Sequence, residues 1–308
     1  MPTHRTGGRA SRAALLLSTT GLLIASAPAL AQTAEPGSSP LPTTAPGVVG
    51  AIPHPTDPTA IVLRMDSCCG FVPVEVSLTS VPVFTLYGDN TAVFRAQTEV
   101  FPPAGEPMPP LVKATLSPEQ VDALLTFALA QGGLRDAAEL YTQPLVADVP
   151  TTIFTINAAD VDKTVSVQAL GFDEGPDAAI RAQFAQLADL LDSFEEQVAA
   201  GNVESAEPFP PQQYRGILTD AQGVGPDMVA QPWPWTDVSP DDFQGPDDGI
   251  ARYARLTPEQ VAAVTDVPNG GITNILLDLP DGDGQVWLAI RPLLPDENVL
   301  PEGIEPAA

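Results

Sequence analysis

The two adjacent cysteines, Cys68-Cys69, form the pair in this chain with the clearest capacity for redox chemistry. Disulfides persist in exported proteins, so the compartment decides whether the pair is oxidised. Neighbouring Cα atoms lie about 3.8 Å apart, below the usual disulfide range, and a bridge between them is a strained ring. Redox enzymes use Cys-x-x-Cys, which this sequence lacks. The sequence favours a strained ring, or two thiols stiffening the turn before Gly70, over a redox-sensitive contact or a disulfide to another chain.

Acidic residues offer a second chemistry. Asp237, Asp241, Asp242, Asp247 and Asp248 crowd a stretch with no basic residue between Arg215 and Arg252. Hard cations need several oxygens converging on one point, so Asp241, Asp242, Asp247 and Asp248 are the calcium candidates. EF-hand spacing is absent there, and Asp281-Gly-Asp-Gly284 has Pro292 where the twelfth-position Glu would stand. A solvated acidic loop is the favoured reading, and no metal or cofactor is assigned.

Catalysis finds little support. His54 is the only histidine beyond the first few residues, and it sits in a Pro-flanked segment, so Ser-His-Asp and Cys-His arrangements lack a base. His-rich zinc sites fail for the same reason. Lys113 and Lys163 are the only lysines, and no phosphate-cradling glycine loop appears. Paired carboxylates remain, but a chain with 39 acids always offers pairs. No catalytic residue is assigned. Gln231-Pro-Trp-Pro-Trp-Thr236 could present two indoles as a ligand platform, though burial as a packing plug is the commoner fate.

The elements that must position these residues follow from periodicity. Phe84 to Tyr87 and Thr91 to Phe94 alternate around Gly88-Asp89-Asn90, which reads as a β-hairpin. Ala60 to Met65 reads as a strand, and Phe71 to Leu78 fills the gap before the hairpin. Ser117 caps a helix, with Pro118 at its first position, Gln120 closing a capping box, and Gly132-Gly133 as its stop. Strands at 151–156 and 163–170 precede a helix from about Asp177 to Ala200. Leu256-Thr-Pro-Glu-Gln-Val261 then repeats Leu116-Ser-Pro-Glu-Gln-Val121, again before Gly-Gly and two strands at 272–277 and 285–290. The expected fold is α+β, with two related modules, each an antiparallel sheet packed on capped helices.

Residues 1–31 read as a signal peptide. Arg5, Arg9 and Arg12 precede an apolar run, and Ala29-Leu-Ala31 before Gln32 is a small-x-small cleavage site, between Ala31 and Gln32. The run is too short for a membrane anchor, no lipobox cysteine follows, and no later run could span a bilayer. That leader holds three of the 13 basic residues and no acid, leaving ten against 39, a net charge of −29. Such a surface repels nucleic acid and anionic lipid. Residues 32–58 read as a disordered Pro/Ser/Thr-rich stalk, 59–201 as the first module, 202–213 as a linker, 214–300 as the second module and 301–308 as a disordered tail.

Gly70-Phe-Val-Pro73, Phe84 to Asp89, Leu116-Ser117, Asp148-Val-Pro-Thr-Thr152 and Arg291-Pro-Leu-Leu-Pro-Asp-Glu297 together resemble a group of uncharacterised bacterial exported proteins, many of them lipoprotein-like. The chain departs from that pattern at Cys68-Cys69 and at Asn90, where glycine is usual. The resemblance implies location and fold but no reaction. The order of elements across 60–200, with Cys69-Gly70-Phe71, partly resembles the emfourin-type inhibitors of secreted metalloproteases. The expected function is an extracytoplasmic binding module of the bacterial envelope or medium, with an extracytoplasmic protein or glycan as partner. A metalloprotease inhibitor and a paired-carboxylate hydrolase are the alternatives.

Overall fold

The computed structural model describes residues 51–72, 74–96, 102–103, 105–144, 146–172, 175–225, 228–246, 249–266, 268–282 and 284–301. The leader with its Ala31–Gln32 junction, most of the expected stalk, Asp247, Asp248 and residues 302–308 lie outside that set. The described residues belong to one compact unit. The class is α+β, with one sheet of eight strands and one of five.

The larger sheet contains β1 (Ile61–Cys68), β2 (Phe84–Tyr87), β3 (Thr91–Arg95), β4 (Leu111–Thr115), β5 (Leu140–Tyr141), β6 (Thr151–Ala158), β7 (Val161–Gln168) and β8 (Ser205–Pro208). Their spatial order is β5-β7-β6-β1-β2-β3-β4-β8, antiparallel throughout except for β5 beside β7. Helices α2 (Pro118–Thr126), α3 (Ala178–Asp192) and α4 (Phe194–Ala199) cover one face. A shorter helix, α1 (Val74–Thr79), occupies the stretch between β1 and the hairpin.

The capping logic holds in detail. Ser117 accepts from the Gln120 backbone N–H, and the Gln120 side chain accepts from Ser117 N–H at 2.7 Å. The helix continues beyond Thr126 as a π-helical turn, Phe127–Gln131, and ends at Gly132-Gly133. The long helix expected over 177–200 divides at Ser193 into α3 and α4. That break swings Phe194 into the core, where its ring lies 4.7 Å from Phe84 and 5.3 Å from Phe94. Leu124, Leu125, Phe184 and Leu187 complete the helix side of this core against Leu63, Phe154 and Val165.

The smaller sheet contains β9 (Tyr214–Asp220), β10 (Gln231–Pro232), β11 (Arg252–Leu256), β12 (Ile272–Asp278) and β13 (Gln285–Pro292), ordered β10-β12-β13-β9-β11. Its outer face packs on α5 (Pro258–Ala262), where Thr257 forms the same capping box with Gln260. Trp233 and Trp235 meet edge-on at 5.3 Å inside this core and donate to Val238 O and Gln260 O. The tryptophans are therefore packing groups. The repeated Leu-x-Pro-Glu-Gln-Val stretch does not carry a repeated sheet order. In the larger sheet the first hairpin strand, β6, pairs with β1; in the smaller sheet the second, β13, pairs with β9.

Two expected boundaries differ in the structure. Residues 51–58, read as stalk, dock on α2 and on the β6–β7 turn: Ile52 N–H donates to the Asp122 side chain at 2.8 Å, and Ala159 N–H donates to Pro53 O. The expected linker contains β8, which extends the larger sheet beside β4. In both places proline-rich composition hid backbone pairing that needs no large apolar side chain.

The hairpin turn shows how the first of these is fixed. Asn90 takes the left-handed conformation, at φ 65°. Gly88 does not. A Cβ there would lie 2.5 Å from Asp57 O and 2.6 Å from Pro55 O, so glycine is required by close approach. Gly88→Ala should lower stability by about 1–3 kcal/mol and release 51–58 to proteolysis before global unfolding. An unchanged melting temperature and unchanged protection would refute that docking.

Candidate functional site

Strand β1 alternates. Leu63 and Met65 face the helices, while Arg64, Asp66 and Cys68 face the other way. In an isolated sheet that polar face would meet water. Here it looks toward the smaller sheet, and the two sheets share a cleft of about 810 Å³. Its walls come from β1, α1, β9, β13 and the chain that follows β13.

The smaller sheet brings its own cations. Register places Arg291 of β13 opposite Arg215 of β9, and Arg215 opposite Arg255 of β11. Arg255 is exposed, whereas Arg215 and Arg291 are 8% and 3% exposed. Like charges directly opposite destabilise a sheet unless something offsets them. The segment after β13 supplies the offset. Glu297 forms an ion pair with Arg291 Nη2, and its other oxygen accepts from Leu294 N–H at 2.9 Å. Arg215 donates to Asn298 O and Val299 O, each at 2.6 Å, and lies 6.0 Å from the Tyr253 ring centre. Arg291 Nη1 donates to Ser80 O at the end of α1.

Asp296, the neighbouring residue, reaches the larger sheet. Its Oδ1 accepts from Arg64 at 2.7 Å and from Tyr87 Oη at 2.6 Å. Arg64 also donates to Thr85 Oγ1. Burial works to lower the Arg64 pKa, but the Asp296 hydrogen bond and charge outweigh it and the pKa rises. Burial pushes the Tyr87 phenol up, and the Asp296 charge adds to the shift. Burial raises the Asp66 carboxyl, against the Ser67 N–H and the nearby arginine charges. Arg215 is pushed down to about 10 by burial and then by the Arg291 charge. Arg95, on the same face of β3, is likewise pushed down to about 10, and it donates to Pro109 O and Gly270 O.

Cys68 and Cys69 are joined as a vicinal disulfide on the cleft wall. Cys69 and Gly70 both take positive φ, at 69° and 76°, which turns the chain sharply out of β1. A Cβ at Gly70 would meet Pro150 N at 3.0 Å, so this turn is packed against the 148–152 segment. Phe71 N–H then donates to Asp148 O, leaving the Phe71 ring 92% exposed. Four of the stretches singled out in the sequence thus meet here: Val72, Pro150, Arg291 with Asp296 and Glu297 line the cleft, and Tyr87 bonds to Asp296.

Other candidates lie elsewhere. His54 is half-buried, and its Nδ1–H donates to Pro55 O. Asp242 caps its own turn, accepting from Ser239 N–H at 2.7 Å and from Ser239 Oγ, and those bonds lower its pKa. Asp241 is exposed beside it. Among the described residues no three His, Cys, Asp or Glu side chains gather as a metal site. Arg291 stands out in the sequence only as part of a motif, and no arginine is among the candidate site residues read from it. The available signal was scarcity: eight arginines follow residue 31, and four of them, Arg64, Arg95, Arg215 and Arg291, serve the facing surfaces of the two sheets.

Asp296→Asn removes the charge that holds Arg64 and Tyr87. The pair is 15% exposed on each side, so its loss should cost about 2–4 kcal/mol, below a fully buried pair. The melting temperature should fall by roughly 5–10 °C, and a fall below 2 °C would show that the pair does not join the sheets. The chain matches no protein-family model, no curated protein and no solved structure, so the chemistry of this cleft rests on its own geometry.

Proposed function

We propose that this is an exported, strongly acidic binding protein of the bacterial envelope or medium, and that it binds its ligand or partner in the cleft between the sheets. The observation that supports binding is the commitment of the cleft's charges. Arg64, Arg215 and Arg291 are held by carboxylates, carbonyls and one another's neighbours, which makes a preformed surface rather than a proton-transfer relay. The cysteines are bonded to each other, so neither is available as a thiolate nucleophile. The net charge of −26 disfavours nucleic acid, and among the described residues no helix is long and apolar enough to cross a membrane. The location follows from the leader sequence. The shared capped stretch of the two halves supports a common local solution, and the opposed hairpin order argues against reading them as related modules.

The test uses immobilised protein exposed to the secreted and envelope fractions of the source cells, with and without calcium, beside Ser77→Trp. Ser77 is exposed on α1 and lines the cleft, so an indole there takes up cleft volume while every arginine side chain is kept. A saturable partner retained by the native chain and lost with the variant supports the reading. Retention that ignores Ser77→Trp moves the binding surface elsewhere.

One observation favours the hydrolase alternative: Asp66, with its raised carboxyl pKa, lines the same cleft as Asp296 and Glu297. The two readings diverge at Asp66→Asn. A carboxyl raised in the folded state contributes stability below its unfolded pKa that is lost as pH rises through the folded one. Asp66→Asn should therefore raise the melting temperature at neutral pH, with the gain vanishing in acid. Abolition of a measurable glycosidase or esterase activity by this change would favour the hydrolase. The inhibitor alternative rests on Cys69-Gly70-Phe71 and the exposed Phe71 ring. Stoichiometric, saturable loss of a secreted metalloprotease's activity is its signature.

A further inference from the structure

Counting charge across the cleft shows a local imbalance in an acidic protein. Arg64 and Asp296 neutralise each other. Arg215 and Arg291 stand in register on neighbouring strands, and Glu297 pairs with Arg291. Arg215 has carbonyl partners only, Asn298 O and Val299 O. Arg291 is 3% exposed, its Nη2 meets Glu297 as an ion pair rather than along a hydrogen-bond direction, and its Nε has no partner. Arg95 adds a further positive charge nearby, also satisfied by carbonyls alone. Buried cations are stable when paired with anions, and a carbonyl dipole is a weak substitute. With Asp66 counted beside Asp296 and Glu297, three carboxylates stand against these four guanidiniums, so one negative charge is missing at this point.

We infer that the cleft takes a small monocarboxylate with an apolar body, its carboxylate held by Arg215 and Arg291 in place of the Asn298–Val299 carbonyls. This rests on the cleft being the binding site. A single carboxylate fits the deficit, whereas a phosphate dianion would bring excess charge toward Asp66, Asp296 and Glu297 on the same walls. The remaining wall is apolar, formed by Val72, Val76, Pro82, Leu300 and Pro301 beside the disulfide. A volume of about 810 Å³ lies within the range of small-molecule pockets. The segment 298–301 is then a strap that occupies Arg215 in the empty state and gives it up to the ligand.

The experiment is calorimetric titration of the purified protein with octanoate, with 1-octanol and with inorganic phosphate. Octanoate should bind at least about tenfold tighter than octanol, as expected for a charge-assisted contact, and phosphate should not compete. Arg215→Gln should weaken octanoate by about tenfold or more and leave octanol unchanged, and Arg215→Lys should recover part of the loss. Ser77→Trp should abolish octanoate and octanol binding together, which places both in the cleft even if an arginine variant fails to fold. Equal affinity for octanoate and octanol, with both lost in Ser77→Trp, would leave the cleft as a binding site and overturn the carboxylate. Tight phosphate binding that displaces octanoate would overturn the ligand class. Absence of octanoate binding to the native chain would overturn the inference outright.

Discussion

The positive charge held between the two sheets is the constraint on which the rest of the arrangement depends. Arg64 and Arg95 enter from the larger sheet, and Arg215 and Arg291 from the smaller. Desolvating guanidinium groups is costly, and placing two of them in register on adjacent strands costs more. The segment after β13 resolves this. It turns back across the gap, so that Glu297 serves the smaller sheet and Asp296 serves the larger. Two successive acidic residues thereby join two sheets, and Leu294 packs with Tyr87 and Val93 beside them.

That arrangement explains why the halves do not behave as separate bodies joined by a tether. The stretch between them donates β8 to the larger sheet, and the final residues return to the same sheet's polar face. Leu78 of α1 and Val299 and Leu300 of the strap pack on Ile217, Ala289 and Tyr253. Each sheet thus has an apolar core on its outer side and a mixed, partly charged layer on its inner side. The outer cores supply most of the burial, and the inner layer sets how the sheets face each other and leaves the cleft between them.

The vicinal disulfide belongs to the same layer. It ends β1 at the point where the chain must leave the sheet, and the two positive-φ residues after Cys68 aim Phe71 outward while Val72 and α1 form a cleft wall. A turn of this kind, packed on Pro150, ties the disulfide to β6 and so to the sheet that carries Arg64 and Asp66. The cleft wall is therefore set by covalent and backbone geometry as well as by charge.

Local signals in the sequence determined the local structure. Ser117 and Thr257, each followed by Pro and then Gln at the third helical position, fixed two helix starts because capping is a matter of a few neighbouring backbone groups. The alternation around Gly88-Asp89-Asn90 fixed the hairpin, and the α+β class followed from such elements. The opposite happened where a partner was distant in sequence. Arg64 sits in a stretch that reads as an ordinary strand, and nothing local says that Asp296, 232 residues later, will cover it. Proline-rich segments read as linkers because their composition lacks apolar side chains, yet 51–58 and 205–208 are ordered by backbone hydrogen bonds that composition does not report. Only the tertiary structure decided the cleft, because a charge is tolerated or not according to what surrounds it, and here those surroundings come from four separate regions of the chain.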